Sequence, residues 1–170
     1  MTDIAARRAA LFALFDRLGI ATTTHEHEAV FTVAESQHVK DSIPGGHTKN
    51  LFLKDKKGRL FLVVALGSAI IDLKRLHEVI GASGRLSFGS GELLEEVWGV
   101  KPGSVTPFGA ICDTEQRVSV VLDQAMMEHE ILNYHPLENT ATTSISRADL
   151  VAFLRATGHE PRILDCSQPA

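Results

Sequence analysis

Lys49-Asn50-Leu51-Phe52-Leu53-Lys54-Asp55-Lys56-Lys57-Gly58-Arg59-Leu60-Phe61-Leu62-Val63-Val64-Ala65-Leu66 reads as two strands joined by a tight turn. The runs on either side are of strand length, and Asp-Lys-Lys-Gly is turn chemistry, so the stretch predicts a β-hairpin with a basic tip. Upstream, Ile4, Leu11, Leu14, Phe15 and Leu18 recur near the helical period, which predicts an amphipathic helix over Asp3 to Leu18 stopped by Gly19. Thr22 to His27 favours an extended conformation, and Thr32-Val33-Ala34-Glu35 has capping-box spacing for a short helix ending before Pro44.

Downstream, Leu73, Leu76, Val79 and Ile80 share one face of a predicted helix over Asp72 to Ile80, and Ser90 caps a second over Gly91 to Trp98. Strands are expected at Ala110 to Asp113, Arg117 to Asp123, Glu130 to Tyr134 and Thr140 to Ile145. Ser146-Arg147-Ala148-Asp149 then caps a last helix reaching about Thr157, before an edge strand at Arg162 to Leu164. Helices alternate with hairpins rather than with single strands. The expected class is therefore α+β: a mixed, mainly antiparallel twisted sheet flanked by helices, with residues 1–170 as a single domain.

Composition narrows the function. The chain is 44% hydrophobic and 22% charged, within the range of soluble globular proteins. Its longest apolar runs, Leu60 to Leu66 and Val118 to Leu122, are far too short to span a membrane. The N-terminus lacks an apolar secretory core, so the cytoplasm is the expected compartment. A net charge of −4 argues against coating nucleic acid by bulk electrostatics, and no basic recognition helix points to DNA. Cys112 and Cys166 lie far apart and read as inert thiols rather than as a disulfide or zinc framework.

Three stretches carry candidate chemistry. Lys49 opens an apolar strand, where its stem either snorkels from a sheet edge or holds the ammonium against a phosphate or a developing negative charge. Pro102-Gly103-Ser104-Val105-Thr106-Pro107-Phe108-Gly109 is either a rigid turn or a cradle of backbone N–H groups. His135-Pro136-Leu137-Glu138-Asn139-Thr140-Ala141-Thr142 gathers amide and hydroxyl groups at a strand end. His25 and His27 fall on one strand face without a third metal ligand, and no metal site is assigned. The cationic cluster Lys54, Lys56, Lys57 and Arg59 reads as a solvated tip that could also touch RNA phosphates.

The strand from Thr48, the Gly-x-x-x-Pro loop at Gly103 to Pro107, and the His-Pro-Leu-x-Asn-Thr-Ala-Thr run from His135, in that order, resemble the free-standing prolyl-tRNA editing proteins. These are the YbaK-type aminoacyl-tRNA deacylases, similar to the editing insertion of bacterial prolyl-tRNA synthetases. The similarity extends from Thr32 to Ser146. It implies hydrolysis of the ester of mischarged tRNA(Pro) by water, without metal, cofactor or enzyme nucleophile. The last stretch is most similar to the alanyl-tRNA(Pro) branch, with cysteinyl-tRNA(Pro) as the nearest alternative. A non-catalytic RNA-binding module is the alternative of another class.

Carried onto this chain, the resemblance places the family's essential lysine at Lys49 and its loop at Gly103 and Pro107, and the amides of Ser104, Val105 and Thr106 between them complete the expected catalytic set. Asn50, Phe108, His135, Asn139 and Thr142 are implied as substrate contacts. Lys49 would hold the phosphate or ester end, and amides from Ser104 to Thr106 would stabilise the oxyanion. His135 is either a base by residue type or, beside Pro136, a positioning or packing residue, and Ser104 is not assigned as a nucleophile. The implied partners are the aminoacylated acceptor end of tRNA(Pro) and prolyl-tRNA synthetase.

Overall fold

A computed structural model of the chain describes residues 4–28 and 42–167. The capping-box helix expected from Thr32 lies outside the described residues. Helix α1 spans Ile4–Leu18, followed by strand β1 (Thr23–Glu26). The predicted hairpin forms as β2 (Gly46–Lys54) and β3 (Leu60–Leu66). Then come helix α2 (Leu76–Ile80), strand β4 (Ser87–Phe88), helix α3 (Gly91–Trp98) and a 3₁₀ turn at Pro107–Ile111. Strands β5 (Val118–Asp123), β6 (Ile131–Tyr134) and β7 (Ala141–Ser146) lead to helix α4 (Arg147–Ala156) and strand β8 (Arg162–Leu164).

The strands form one mixed sheet in the order β1-β7-β6-β2-β3-β5-β8, with β4 added to β2. Hairpin partners β2–β3 and β6–β7 pair antiparallel, as does β1 with β7. The parallel pairs β2–β6, β3–β5 and β5–β8 join strands distant in sequence, which local hairpin signals do not specify.

β3 lies inside the sheet, between β2 and β5, which explains why its sequence is a continuous apolar run. Leu60, Leu62 and Val64 face a core shared with α1, α3 and α4, while Phe61 and Val63 face a second core closed by Leu76 and Ile80 of α2. Phe15, Phe108, Tyr134 and Phe153 meet edge-on or tilted in the first core, with centroids 5.3–5.7 Å apart. Ser90 and Ser146 cap α3 and α4 as expected, each accepting a backbone N–H three residues on at 3.1 Å.

Two expected elements differ. The predicted strand Ala110 to Asp113 is the end of the 3₁₀ turn and its exit. Pro107 starts that turn with its fixed φ, and Thr106 Oγ1 accepts the Phe108 N–H at 3.3 Å. The predicted helix Asp72 to Ile80 is helical only from Leu76, because Asp72 closes a turn by accepting the Lys74, Arg75 and Leu76 N–H groups. Val79, expected on the buried face, is 42% exposed.

Candidate active site

β2 pairs with β3 along most of its length, but its other edge is covered only at the ends. β6 holds Gly46 and His47, and β4 holds Leu53 and Lys54. Between them the edge from Thr48 to Phe52 has no strand neighbour among the described residues. In line with this, residues 47–51 stay half-buried although β2 lies mid-sheet.

Contacts close a rim around that gap. At one end Asn133 pins β6 to the entry of β2. Its Nδ2 donates to the Pro44 and Gly46 carbonyls at 3.1 and 3.2 Å, and its own carbonyl accepts from Thr48 Oγ1 at 2.7 Å. Ser144 Oγ from β7 holds Asn133 Oδ1 at 2.5 Å. The β6–β7 turn follows, and a Cβ built on Gly103 would lie 4.0 Å from Asn139 Nδ2. Pro102 lies against Gly91 at the start of α3, 3.3 Å from a Cβ built there. Gly89 closes the rim by donating its N–H to the Phe52 carbonyl at 3.0 Å, with its own Cα over the Phe52 ring. Asn133 had no distinguishing signal in the sequence, because its partners come from three separate segments.

Strand alternation sets the sides of the gap. Lys49 shares a face with Leu51 and Leu53, and Asn50 shares the opposite face with Phe52. The Lys49 stem is half-buried and its Nζ donates to the Ala69 carbonyl at 2.5 Å. That bond anchors the ammonium and leaves two of its three protons to give. Among the described residues Asn50 Oδ1 is buried without a hydrogen-bond partner, an exception to the usual pairing of buried acceptors.

The β2–β6 register pairs Gly46 with Leu132 and His47 with Asn133. Continued past the point where the strands part, it sets Lys49 and His135 on one face, on opposite sides of the gap. His135 Nδ1 lies 2.9 Å from the Ala141 carbonyl. A carbonyl only accepts, so the proton is on Nδ1 and Nε2 keeps its lone pair. Burial lowers the His135 pKa against the opposing pull of that carbonyl bond, and nearby His27 lowers it further.

A match to the model of the aminoacyl-tRNA editing domain covers residues 27–153. The chain belongs to that family. The editing domain here is 43% identical to prolyl-tRNA synthetase associated domain-containing protein 1 of Danio rerio, over 87% of this chain and 81% of that one. It is 37% identical to the prolyl-tRNA editing protein ProX of Acetoanaerobium sticklandii, over 88% of this chain and 92% of that one. A crystal structure described as a candidate trans-editing enzyme for prolyl tRNA synthetase shares the fold, with a TM-score of 0.72, 20% identity and 99% coverage of both chains.

Within this editing domain the predicted loop divides in two. Its first half is on the rim: Gly103 is exposed and Val105 half-buried, and their amides have no protein acceptor among the described residues. The Ser104 amide is already committed to the Lys101 carbonyl at 3.0 Å. Gly103 needs to be glycine because its φ is +92°, and a Cβ there would meet no crowding. The second half belongs to the core. Thr106 gives its carbonyl to Trp98 Nε1 at 2.6 Å, and Gly109 lies against the Trp98 indole, 2.2 Å from where a Cβ would be. Pro107 and Phe108 are buried as well. Phe108, expected to touch substrate, is fully enclosed by Phe15, Tyr134 and Phe153 and serves as packing.

Thr142 is also buried, its hydroxyl 2.9 Å from His27 Nε2, while His27 Nδ1 donates to the Glu28 carbonyl at 2.7 Å. His27 thus joins the His135 side of the site. In the sequence His27 stands out only as one of two imidazoles on a strand face, short of a third metal ligand and as readily explained by an exposed edge strand; among the described residues no group of three metal-ligating side chains forms. The alternation His25-Glu26-His27 on an edge strand was the available signal. Both thiols are unsuited to nucleophilic attack: burial raises the half-buried Cys112 and pushes Cys166 up to about 12. Among the described residues no helix is long and apolar enough to cross a membrane.

Proposed function

We propose that this editing domain hydrolyses the ester linking a wrong amino acid to tRNA(Pro), alanine above all. The observation that carries the reading is the rimmed gap in the β2 edge, with the anchored Lys49 ammonium on one side and the His135 Nε2 lone pair on the other. The relatives' names, prolyl-tRNA editing protein among them, support the tRNA.

The Lys49 ammonium neutralises phosphate or ester oxygen at the acceptor end. The free amides of Gly103 and Val105 receive the ester carbonyl oxygen and are worth most once it carries negative charge. Asn50 Oδ1 and Asn139 orient the substrate from the two sides of the rim. His135 Nε2 accepts a proton from the attacking water. Water oxygen bonds to the ester carbon, the carbon–oxygen bond to ribose breaks, and the proton passes to the ribose oxygen. Free amino acid and intact tRNA leave. Such a second site is needed because a synthetase pocket built for proline gains only ~1–3 kcal/mol over a smaller side chain. We place residues 1–170 in the cytoplasm as one editing unit, serving prolyl-tRNA synthetase.

The test is a deacylation panel on tRNA(Pro) charged in turn with alanine, cysteine, serine and proline. Alanine is expected to be released fastest over many turnovers. Cysteine released faster would move the substrate assignment to that amino acid. Stoichiometric protection of every ester, with no turnover, would make the chain a binder and defeat the reading.

A further inference from the structure

The far end of β2 carries a surface of different character. Lys54, Lys56, Lys57 and Arg59 around the β2–β3 turn, and Arg85 just before β4, are all exposed in a chain whose net charge is −4. The only acid in residues 49–66 is Asp55, and residues 81–91 contain none. Asp55 is buried and its carboxylate is consumed by the N–H groups of Lys57, Arg59 and Ser83 and by Arg59 Nε, at 2.8–3.0 Å. Within these two segments no exposed acid offsets Lys54, Lys56, Lys57 and Arg85, while Arg59 is paired with Asp55 at 2.9 Å.

The frame beneath them is stiff. The Lys56 N–H donates to the Ser83 carbonyl at 2.9 Å, Arg59 Nη2 to the Gly81 carbonyl at 3.2 Å, and the Lys56 stem lies against Gly84. Beside them stands Phe88, 60% exposed. Its pairing with Leu53 puts it on the Lys49 face of β2. Lys49 and Leu53 are four residues apart on β2, roughly 13 Å at the strand rise.

We infer that Lys56, Lys57, Arg59, Arg85 and Phe88 form a docking surface for the RNA leading to the ester, the cations on backbone phosphates and Phe88 stacked on an unpaired base. Cations alone would equally fit an acidic peptide. A flat, exposed ring adjoining them, on the face that carries Lys49, is what a base offers its π-surface to. The inference rests on the deacylase reading and adds to it where the tRNA body lies.

The experiment uses the full chain and an uncharged RNA hairpin with a short unpaired 3′ overhang, its Kd measured by fluorescence anisotropy at several salt concentrations. Wild-type affinity should fall steeply with salt, because phosphate contacts release counterions. Lys57→Glu combined with Arg85→Glu should flatten that slope and weaken binding by about tenfold or more. Phe88→Ala should weaken binding of the overhang hairpin by between about 5-fold and 100-fold, and Phe88→Tyr should restore it. Wild-type affinity in the charge-reversed variant or in Phe88→Ala, with Tm unchanged, overturns the surface. So does a salt-independent wild-type Kd.

Alanine release from alanyl-tRNA(Pro) by the wild type is measured in parallel. Its absence defeats the deacylase reading whatever the hairpin data show. Its presence with undiminished hairpin binding by the variants defeats the docking surface alone.

Discussion

The two ends of β2 treat polar groups in opposite ways. At the turn, Asp55 is buried with its carboxylate fully occupied, accepting four hydrogen bonds from three residues. Burial alone would raise its pKa, but those donors outweigh it and hold the carboxyl at about 2. Near the other end, Asn50 Oδ1 is buried with no partner among the described residues, while the Lys49 ammonium donates to the Ala69 carbonyl. A satisfied buried polar group stabilises the fold, and an unsatisfied one costs stability unless a ligand completes it. The buried pair Asp113–His159 follows the Asp55 pattern. His159 Nε2 lies 2.8 Å from Asp113 Oδ2, its Nδ1 lies 2.9 Å from Thr157 Oγ1, and Asp113 also takes the Arg117 and Val118 N–H groups. That pair is scaffold.

Substitutions at the two ends should separate these roles. The largest effect is expected for Lys49→Ala, which should slow deacylation of alanyl-tRNA(Pro) roughly 100- to 1,000-fold, the range for losing one aimed electrostatic donor. Its Tm should stay near that of the wild type. Near wild-type turnover would remove Lys49 from the site.

Asp55→Asn should do the reverse, costing about 1–3 kcal/mol of stability through unpaired donors. Chemical denaturation would register the loss, and a variant as stable as the parent would break the contrast. The pH dependence has a definite sign. Because the folded-state pKa of Asp55 lies below its unfolded value, its contribution is complete above about pH 4 and is lost as the pH falls through about 2. Acid unfolding of Asp55→Asn should lack that component.

Asn50→Leu sharpens the comparison further. Replacing a half-buried amide whose buried oxygen has no partner among the described residues by an apolar group of similar size should leave Tm unchanged or raise it, while deacylation falls. A clear loss of Tm would mean that Asn50 is structural after all. The smallest effect concerns His135, whose folded-state pKa is depressed. Stability it contributes is present above the unfolded value near 6.5 and declines as the pH falls through the lower folded value. His135→Gln should flatten both the stability and the activity profiles in that acidic window, and an unaltered activity profile would exclude His135 Nε2 as proton acceptor.

The hairpin, the capped helices α3 and α4 and the family motifs were legible because each rests on local signals. These are apolar runs, Ser at the N-cap, and turn residues at fixed offsets. The segment from Ala110 misled for an equally local reason: Ala-Ile-Cys looks strand-like, but Pro107 and the Thr106 cap start a helical turn that carries through it. Phe108 was placed beside the substrate because it adjoins the loop in sequence, and the core took its ring instead.

By itself the sequence determined most of the elements, the class of fold, the family, and the identity of Lys49, Gly103 and His135 as candidates. Periodicity, capping and turn chemistry act over a few residues, and a motif is an order of residues along the chain. The tertiary structure alone decided that β2 has no strand neighbour among the described residues along its edge from Thr48 to Phe52. It decided which half of the Pro102 to Gly109 loop faces that gap, and that Asn133 and His27 brace it. Those outcomes depend on strands brought together from distant segments, and on which buried polar groups find partners once they meet.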